Sequence, residues 1–287
     1  MARKILIIIL LSTFSNNLQS YSFQEAKIIS EYFESLYSFE FNKSDSILSS
    51  LPKSPEYSFI QINNYWWKLI TTDNKKNIIY SNALIINHDK KYSNSPPTEN
   101  EVLLNISIQA FKLRFLLYNK QYYKAYKQAK FLVQIISSST IAQDNEYTIL
   151  IYGLMNYFGN KAYKKYPFVF YQKQYKNFSD TIGIILLEKA AKTNNIFVKT
   201  ESLYFLVKIY YEVEENYEKA LFYSSKLTSL YPDNAIFGYY HLNILINLKK
   251  NNEAKIFKEK LFKSIYSNNS LTLEQIVHIK SIITSNI

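Results

Sequence analysis

Only four glycines and six prolines punctuate a chain of 287 residues, and that scarcity limits the fold more than any motif does. Two-residue hairpins, phosphate-cradling loops and tight strand-to-helix connections depend on these residues to reach unusual backbone angles. A chain with so few of them is expected to be built from helices joined by short polar connectors. Apolar residues make up 47% of it, enough to bury a sizeable core and too many for global disorder. There is no cysteine, so disulfides, thiolate catalysis and Cys-ligated metals are excluded and stability must come from packing.

Apolar positions recur at three and four residues from Phe23 onward, as in Phe23, Ala26, Ile29, Phe33, Leu36 and Tyr37, which marks one face of a helix. The same spacing predicts thirteen helices, near 22–41, 43–51, 55–72, 75–88, 99–118, 121–137, 142–159, 179–193, 200–213, 216–230, 234–249, 251–266 and 271–284. No credible strand remains. Ser54 before Pro55 reads as an N-cap, and Thr98 with Glu101 and Thr272 with Gln275 read as capping boxes. Two connectors stand out. Asn87 to Thr98 is polar and holds Pro96 and Pro97, while Gly159 to Ser179 is aromatic and basic without a clean helical period.

The first residues have a separate logic. Arg3 and Lys4 precede ten mostly apolar residues, Ile5 to Phe14, and small residues follow at Ser15 and Ser20. This is a signal-peptide layout, too short to span a bilayer and lacking the Cys needed for lipid attachment. Cleavage is expected near Ser20, with export to the periplasm or the outer-membrane surface. No later segment is apolar and long enough for an integral membrane protein.

Internal periodicity is the most specific signal. With Pro232 at the end of a 34-residue unit, Tyr204, Val207 and Tyr211 fall on the inner face of a first helix, and Tyr217, Ala220 and Leu227 on a second. Ala254 and Leu261 each lie 34 residues beyond Ala220 and Leu227. Small residues at that interval let paired helices approach closely. These residues resemble the tetratricopeptide repeat, best in Glu215 to Asn234 (ENYEKALFYSSKLTSLYPDN). The following unit keeps Ala254 but carries Gly238 and His241 where the pattern prefers large and aliphatic residues. Tyr118 to Leu132 looks like another second helix. The segments 63–70 (NNYWWKLI), 151–158 (IYGLMNYF) and 183–191 (GIILLEKAA) are similar to uncharacterised exported tetratricopeptide proteins of Gram-negative bacteria. The resemblance implies an all-α, helix-hairpin α-solenoid. Residues 1–20 are then a signal peptide, 21–95 an N-terminal helical region and 96–287 the repeat region, clearest at 201–234 and 235–268.

In such a solenoid the first helices line a concave face. If Tyr204, Val207, Lys208 and Tyr211 turn toward the partner helix, the groove stripe is Ser202, Phe205, Ile209 and Glu212, followed by Ile236, Tyr239, Asn243 and Ile246. That mostly apolar stripe suits a protein or peptide partner in the cell envelope. The alternative is that these residues pack against the next unit or the terminal helix.

Charge is unevenly placed. Residues 102–176 hold 11 basic and 2 acidic side chains, whereas 21–101 hold 8 and 10, and 177–287 hold 13 and 11. Lys120, Lys124, Lys127 and Lys130 recur at helical spacing, and Lys161, Lys164 and Lys165 crowd the irregular stretch, so an anion-binding patch is expected there. A solvated Lys-rich face from biased composition explains the same residues. Nucleic acid is not expected for an exported chain.

Signatures of catalysis are missing. The three histidines, His88, His241 and His278, lie far apart and outside any HExxH context, and no nucleophile elbow occurs. No catalytic residue, metal or cofactor is expected. The leading expectation is therefore a non-catalytic exported scaffold or adaptor. Two alternatives are an α/α toroid that cleaves a glycan with two carboxylates and a peripheral membrane-surface protein using the basic patch.

Overall fold

The computed structural model describes residues 23–92, 98–139, 145–166 and 177–285. The expected leader and the middle of the aromatic stretch lie outside the described residues. Among the described residues there are thirteen α-helices and no strand. They are α1 (Phe23–Tyr37), α2 (Phe41–Ser50), α3 (Pro55–Thr72), α4 (Lys76–Tyr92), α5 (Glu99–Tyr118), α6 (Tyr122–Ser138), α7 (Glu146–Lys165), α8 (Asp180–Ala190), α9 (Ile196–Lys208), α10 (Tyr217–Leu230), α11 (Ala235–Asn247), α12 (Asn251–Ser267) and α13 (Leu273–Thr284). Consecutive helices pack as six pairs, from α1/α2 to α11/α12, and α13 ends the array. The architecture is an all-α solenoid of helix hairpins.

Caps fix many of the starts. The Ser54 hydroxyl accepts from the Tyr57 N–H, and the capping boxes at Thr98 and Thr272 are both complete. Two helices run further than their sequence period suggests. α4 continues to Tyr92, and α7 continues through Gly159 to Lys165, so the first part of the stretch expected to be irregular is helical.

Five of the six pairs turn at one residue with a left-handed backbone, and none of the five is glycine. They are Phe39 (φ 60°), Asp73 (55°), Lys120 (58°), Glu215 (52°) and Lys249 (58°). At Phe39, Lys120 and Lys249 the residue's N–H reaches the carbonyl three residues back and the next N–H reaches five back. That is the bonding of a Schellman motif, which satisfies the last carbonyls of the helix. Left-handed geometry costs a non-glycine residue about 1 kcal/mol. Phe39 offsets it by burying its ring completely, 5.2 Å from Phe41 and 5.9 Å from Trp67.

These turns expose the repeat. Phe39 and Asp73 are 34 residues apart, and so are Glu215 and Lys249. Five residues after each turn stand Ser44, Ile78, Ala125, Ala220 and Ala254. Twelve after stand Leu51, Ile85, Leu132, Leu227 and Leu261, and all ten are buried. Positions seven apart share one face of the second helix, the face turned to the first.

The pair α7/α8 is joined through residues 166–179, most of which lie outside the described residues. Its helices touch most closely at Gly183, where an added Cβ would lie 2.5 Å from the Tyr157 backbone nitrogen. α9 also departs from regularity, because it continues into a single π-helical turn, Ile209–Val213.

The array curls until its ends meet. α1 packs on α9, and α13 packs on both α3 and α11. Tyr37 donates to Glu201 across 3.2 Å, the Asn234 amide donates to the Tyr37 carbonyl at 2.7 Å, and Gln275 donates to the Thr71 hydroxyl at 3.2 Å. Most of the concave face is thereby covered by the protein's own helices.

Candidate functional site

What stays open of the inner face is a pocket of about 600 Å³, bordered by α3, α5, α9, α11 and α13 and by the α3/α4 and α5/α6 turns. Each element brings a different chemistry. α3 contributes Trp66 and Ile70, α5 contributes Arg114 and Tyr118, and α9 contributes Tyr204 and Lys208. α11 adds Ile236, Tyr239 and Tyr240, α13 adds His278 and Ile282, and the turns add Asp73, Lys75 and Lys120.

Arg114 is the most constrained of these groups. Its side chain is 1% exposed, and its Nη2 donates to Glu201 Oε2 at 2.6 Å. The guanidinium lies 4.6 Å from the Phe111 ring centre and 5.4 Å from that of Trp66, and its Nε and Nη1 have no hydrogen-bond acceptor among the described residues. Removing two charges from water is costly, and the pair is stable only with good geometry and further hydrogen bonds. Tyr37 supplies one of these to Glu201.

Lys208 is held as firmly. Its ammonium lies 3.3 Å from Glu212 and donates to the Tyr240 hydroxyl at 3.0 Å, while that hydroxyl donates to Glu212 at 2.9 Å. Burial is the largest influence and works against its charge, but the Glu212 carboxylate and the Tyr204 hydroxyl together raise its pKa on balance. Burial and the same carboxylate push Tyr240 well above the ordinary phenol value, so it stays protonated. At the rim, Asp73 accepts from Lys75 and from Tyr118, and these bonds hold its carboxyl below the usual range.

Of the eight residues expected to form a groove, Ser202, Phe205 and Ile209 are fully buried, and Ile236 and Asn243 nearly so. Glu212, Tyr239 and Ile246 are half-buried. The expected stripe is therefore not an open trough. These side chains pack among the protein's own helices, and only Ile236 and Tyr239 line the pocket. On α9 the open side is taken instead by Tyr204 and Lys208, which the repeat register turns toward the partner helix.

The expected anion patch is also divided. Lys120 lines the pocket, while Lys124 and Lys127 lie exposed on α6 with Lys130 half-buried beside them. Lys127 and Lys130 stand over the rings of Tyr123 and Tyr126. Lys161 pairs with Glu214 at 2.8 Å and Asp180 at 3.6 Å, and Lys164 with Asp180 at 2.9 Å. Lys165 lies over the Tyr166 ring. The last three are thus held locally on α7, apart from α6.

Trp66, Tyr118, Arg114, Lys208 and Tyr240 were not expected from the sequence to line a site. Arg114 did leave a signal: arginine occurs only at positions 3 and 114 of a chain otherwise supplied with lysine. A guanidinium in the middle of an apolar helix, where lysine is the prevailing base, marks a site that needs a planar fork of donors.

A second cavity, about 560 Å³, lies between α3, α4 and α5 and is lined by Tyr57, Gln61, His88, Tyr92 and Glu101 among others. Burial lowers the His88 pKa, against the opposing effect of Asp89. Among the described residues no group of three or more His, Asp or Glu is placed to hold a metal, and no helix is long and apolar enough to cross a membrane. No protein-family model, curated protein or solved structure matches the chain.

Proposed function

We propose that the protein is a non-catalytic, exported binding protein of the tetratricopeptide type, whose ligand is held in the central pocket rather than along an open groove. The observation that carries this reading is the convergence of Trp66, Arg114, Tyr204, Lys208 and Tyr239 from α3, α5, α9 and α11 around one cavity of about 600 Å³. Aromatic walls with a few fixed polar groups, in a volume between about 300 and 1,000 Å³, characterise ligand sites. A partner lying along the inner face would have to displace α1 and α13, whose contacts with α9, α3 and α11 keep the ligand to pocket size.

The glycosidase alternative needs two carboxyl groups facing one cleft. Among the described residues Asp73 is the single carboxylate lining the pocket, and it is already bonded to Lys75 and Tyr118. That arrangement favours holding over cleaving.

A photo-reactive amino acid at position 239, compared with one at the exposed position 255, tests the reading in cells that make the protein. A defined adduct at 239 and none at 255 is expected, and a clean lane at 239 counts against a pocket ligand. Amino-terminal sequencing of protein from fractionated cells tests export, with a start near Tyr21 expected.

A further inference from the structure

The charges around the pocket do not cancel, and the remainder describes the ligand. Four cations line it: Lys75, Lys120, Arg114 and Lys208. Three of them face a carboxylate, Lys75 with Asp73, Arg114 with Glu201 and Lys208 with Glu212. Lys120 has no carboxylate partner among the described residues. One positive charge is left over at the exposed rim of the cleft, where it attracts a single anionic charge, and a second would be left uncompensated beside the buried, already paired cations.

Donors are left over as well. An ammonium has three N–H groups, and Lys208 uses one on Glu212 and one on Tyr240. Buried Arg114 keeps Nε and Nη1 without an acceptor, a condition that costs free energy until an acceptor arrives. The rest of the lining is aromatic and aliphatic, with the rings of Trp66, Tyr118, Tyr122, Tyr204, Tyr239 and Tyr240.

We propose that the pocket binds a small organic monoanion, a carboxylate on an aromatic or alicyclic body. Its charge is balanced by Lys120, its oxygens take the free N–H groups of Lys208 and Arg114, and its ring lies among Trp66, Tyr204 and Tyr239. This rests on the reading of the pocket as a binding site, and adds that the site selects one negative charge.

The test uses the purified chain and three probes of matched shape in calorimetric titration: 2-naphthylacetate, its neutral amide, and naphthalene-2,3-dicarboxylate as a dianion. The monoanion is expected to bind about tenfold more tightly than either of the others, the effect of one charge-assisted contact. Lys120→Gln, an exposed substitution that leaves thermal unfolding unchanged, should lower monoanion affinity by about fivefold, and Lys120→Arg should keep it. Equal binding of acid and amide, both lost in Ile236→Arg, overturns the charge selection and leaves the pocket as a binding site. Tighter binding of the dianion, or no binding of any probe, also overturns the proposal. Absence of binding together with a clean crosslinking lane at position 239 removes the binding reading too.

Discussion

The two hairpins at the N-terminal end and the two at the C-terminal end share one spacing and almost no residues. Both sets turn at a left-handed residue, 34 positions from the next, and both bury the positions five and twelve residues further on. The C-terminal pairs fill the first of those positions with Ala220 and Ala254. The N-terminal pairs use Ser44 and Ile78 and compensate with large rings, with Tyr37 5.5 Å from Trp67 and Phe39 5.9 Å from it. The period therefore resides in the turn and its buried face rather than in any residue type. The N-terminal rings also reach across the trough, where Trp67 lies 5.6 Å edge-on to Phe237, so one end of the array completes the core of the other.

The sharpest way to strain that shared core is at Arg114 on α5, because its partner Glu201 on α9 also takes the Tyr37 hydrogen bond from the N-terminal hairpins. Arg114→Ala leaves a carboxylate that is 1% exposed without its counter-charge, and such losses cost about 3–5 kcal/mol. Urea unfolding should show that loss as a lower midpoint. The double variant Arg114→Met, Glu201→Leu should recover most of it, since a well-packed apolar replacement of a buried pair is often neutral. Failure of the double variant to recover would mean that α5 and α9 are held together by the charges and not by the surrounding rings.

The C-terminal hairpins carry their own titration. His241 packs 4.6 Å from the Phe257 ring and 2.9 Å from the Ser224 hydroxyl, and burial lowers its pKa to about 4. The folded protein thus keeps it neutral, while the unfolded chain takes up a proton below its ordinary value of about 6.5. Stability from this residue is complete above that value and is lost as pH falls toward 4, by up to about 3 kcal/mol. Unfolding midpoints measured across this range should lose most of that slope in His241→Gln. If the slope survives, the acid sensitivity lies elsewhere in the fold.

Close helix contacts separate the regions on a smaller scale. A Cβ at Gly238 would meet the Leu261 side chain at 2.5 Å, whereas one at Gly183 would meet the backbone nitrogen of Tyr157 at 2.5 Å and the Gly153 carbonyl at 2.8 Å. A side chain yields where backbone does not. Overpacking costs roughly 1–3 kcal/mol, so Gly183→Ala belongs at the upper end of that range and Gly238→Ala at the lower. Thermal unfolding of the two variants orders them, and a reversed order would mean that α7 and α8 separate more easily than α11 and α12.

Helix count and most boundaries were legible because each helix declares its buried stripe and its caps locally, as Thr98 and Thr272 do. The C-terminal pairs were legible as repeats because alanine at a helix contact is conspicuous, while Ser44 and Ile78 in the same role are not. Whether the stripe lies open or packed was not legible, for a physical reason. Whether Phe205 or Tyr204 faces open space depends on α1 and α13 arriving from distant parts of the chain, and on a π turn immediately after Lys208. The tryptophans show the same limit: neighbours in sequence, Trp67 enters the shared core while Trp66 borders the pocket. Nearest-neighbour patterns carry the hairpins, and contacts far apart in the chain carry the site.

The smallest expected effect bears most directly on the closure of the trough. Thr98 and Thr272 hold capping boxes of the same pattern, closed by Glu101 and by Gln275, and removing either hydroxyl with alanine costs about 1 kcal/mol. Their surroundings differ. Glu101 of the first box is bonded within the box, whereas Gln275 of the second also donates to Thr71 on α3. Thr98→Ala should therefore raise amide hydrogen exchange only in the first turn of α5. Thr272→Ala should raise it along α13 and at the end of α3, where Thr71 loses a fixed partner, and should loosen the wall of the pocket that His278 and Ile282 form. Exchange confined to α13 in that variant would show the last helix to be a lid laid on the array, and exchange spreading into α3 would show that the ring of helices opens and closes as one unit.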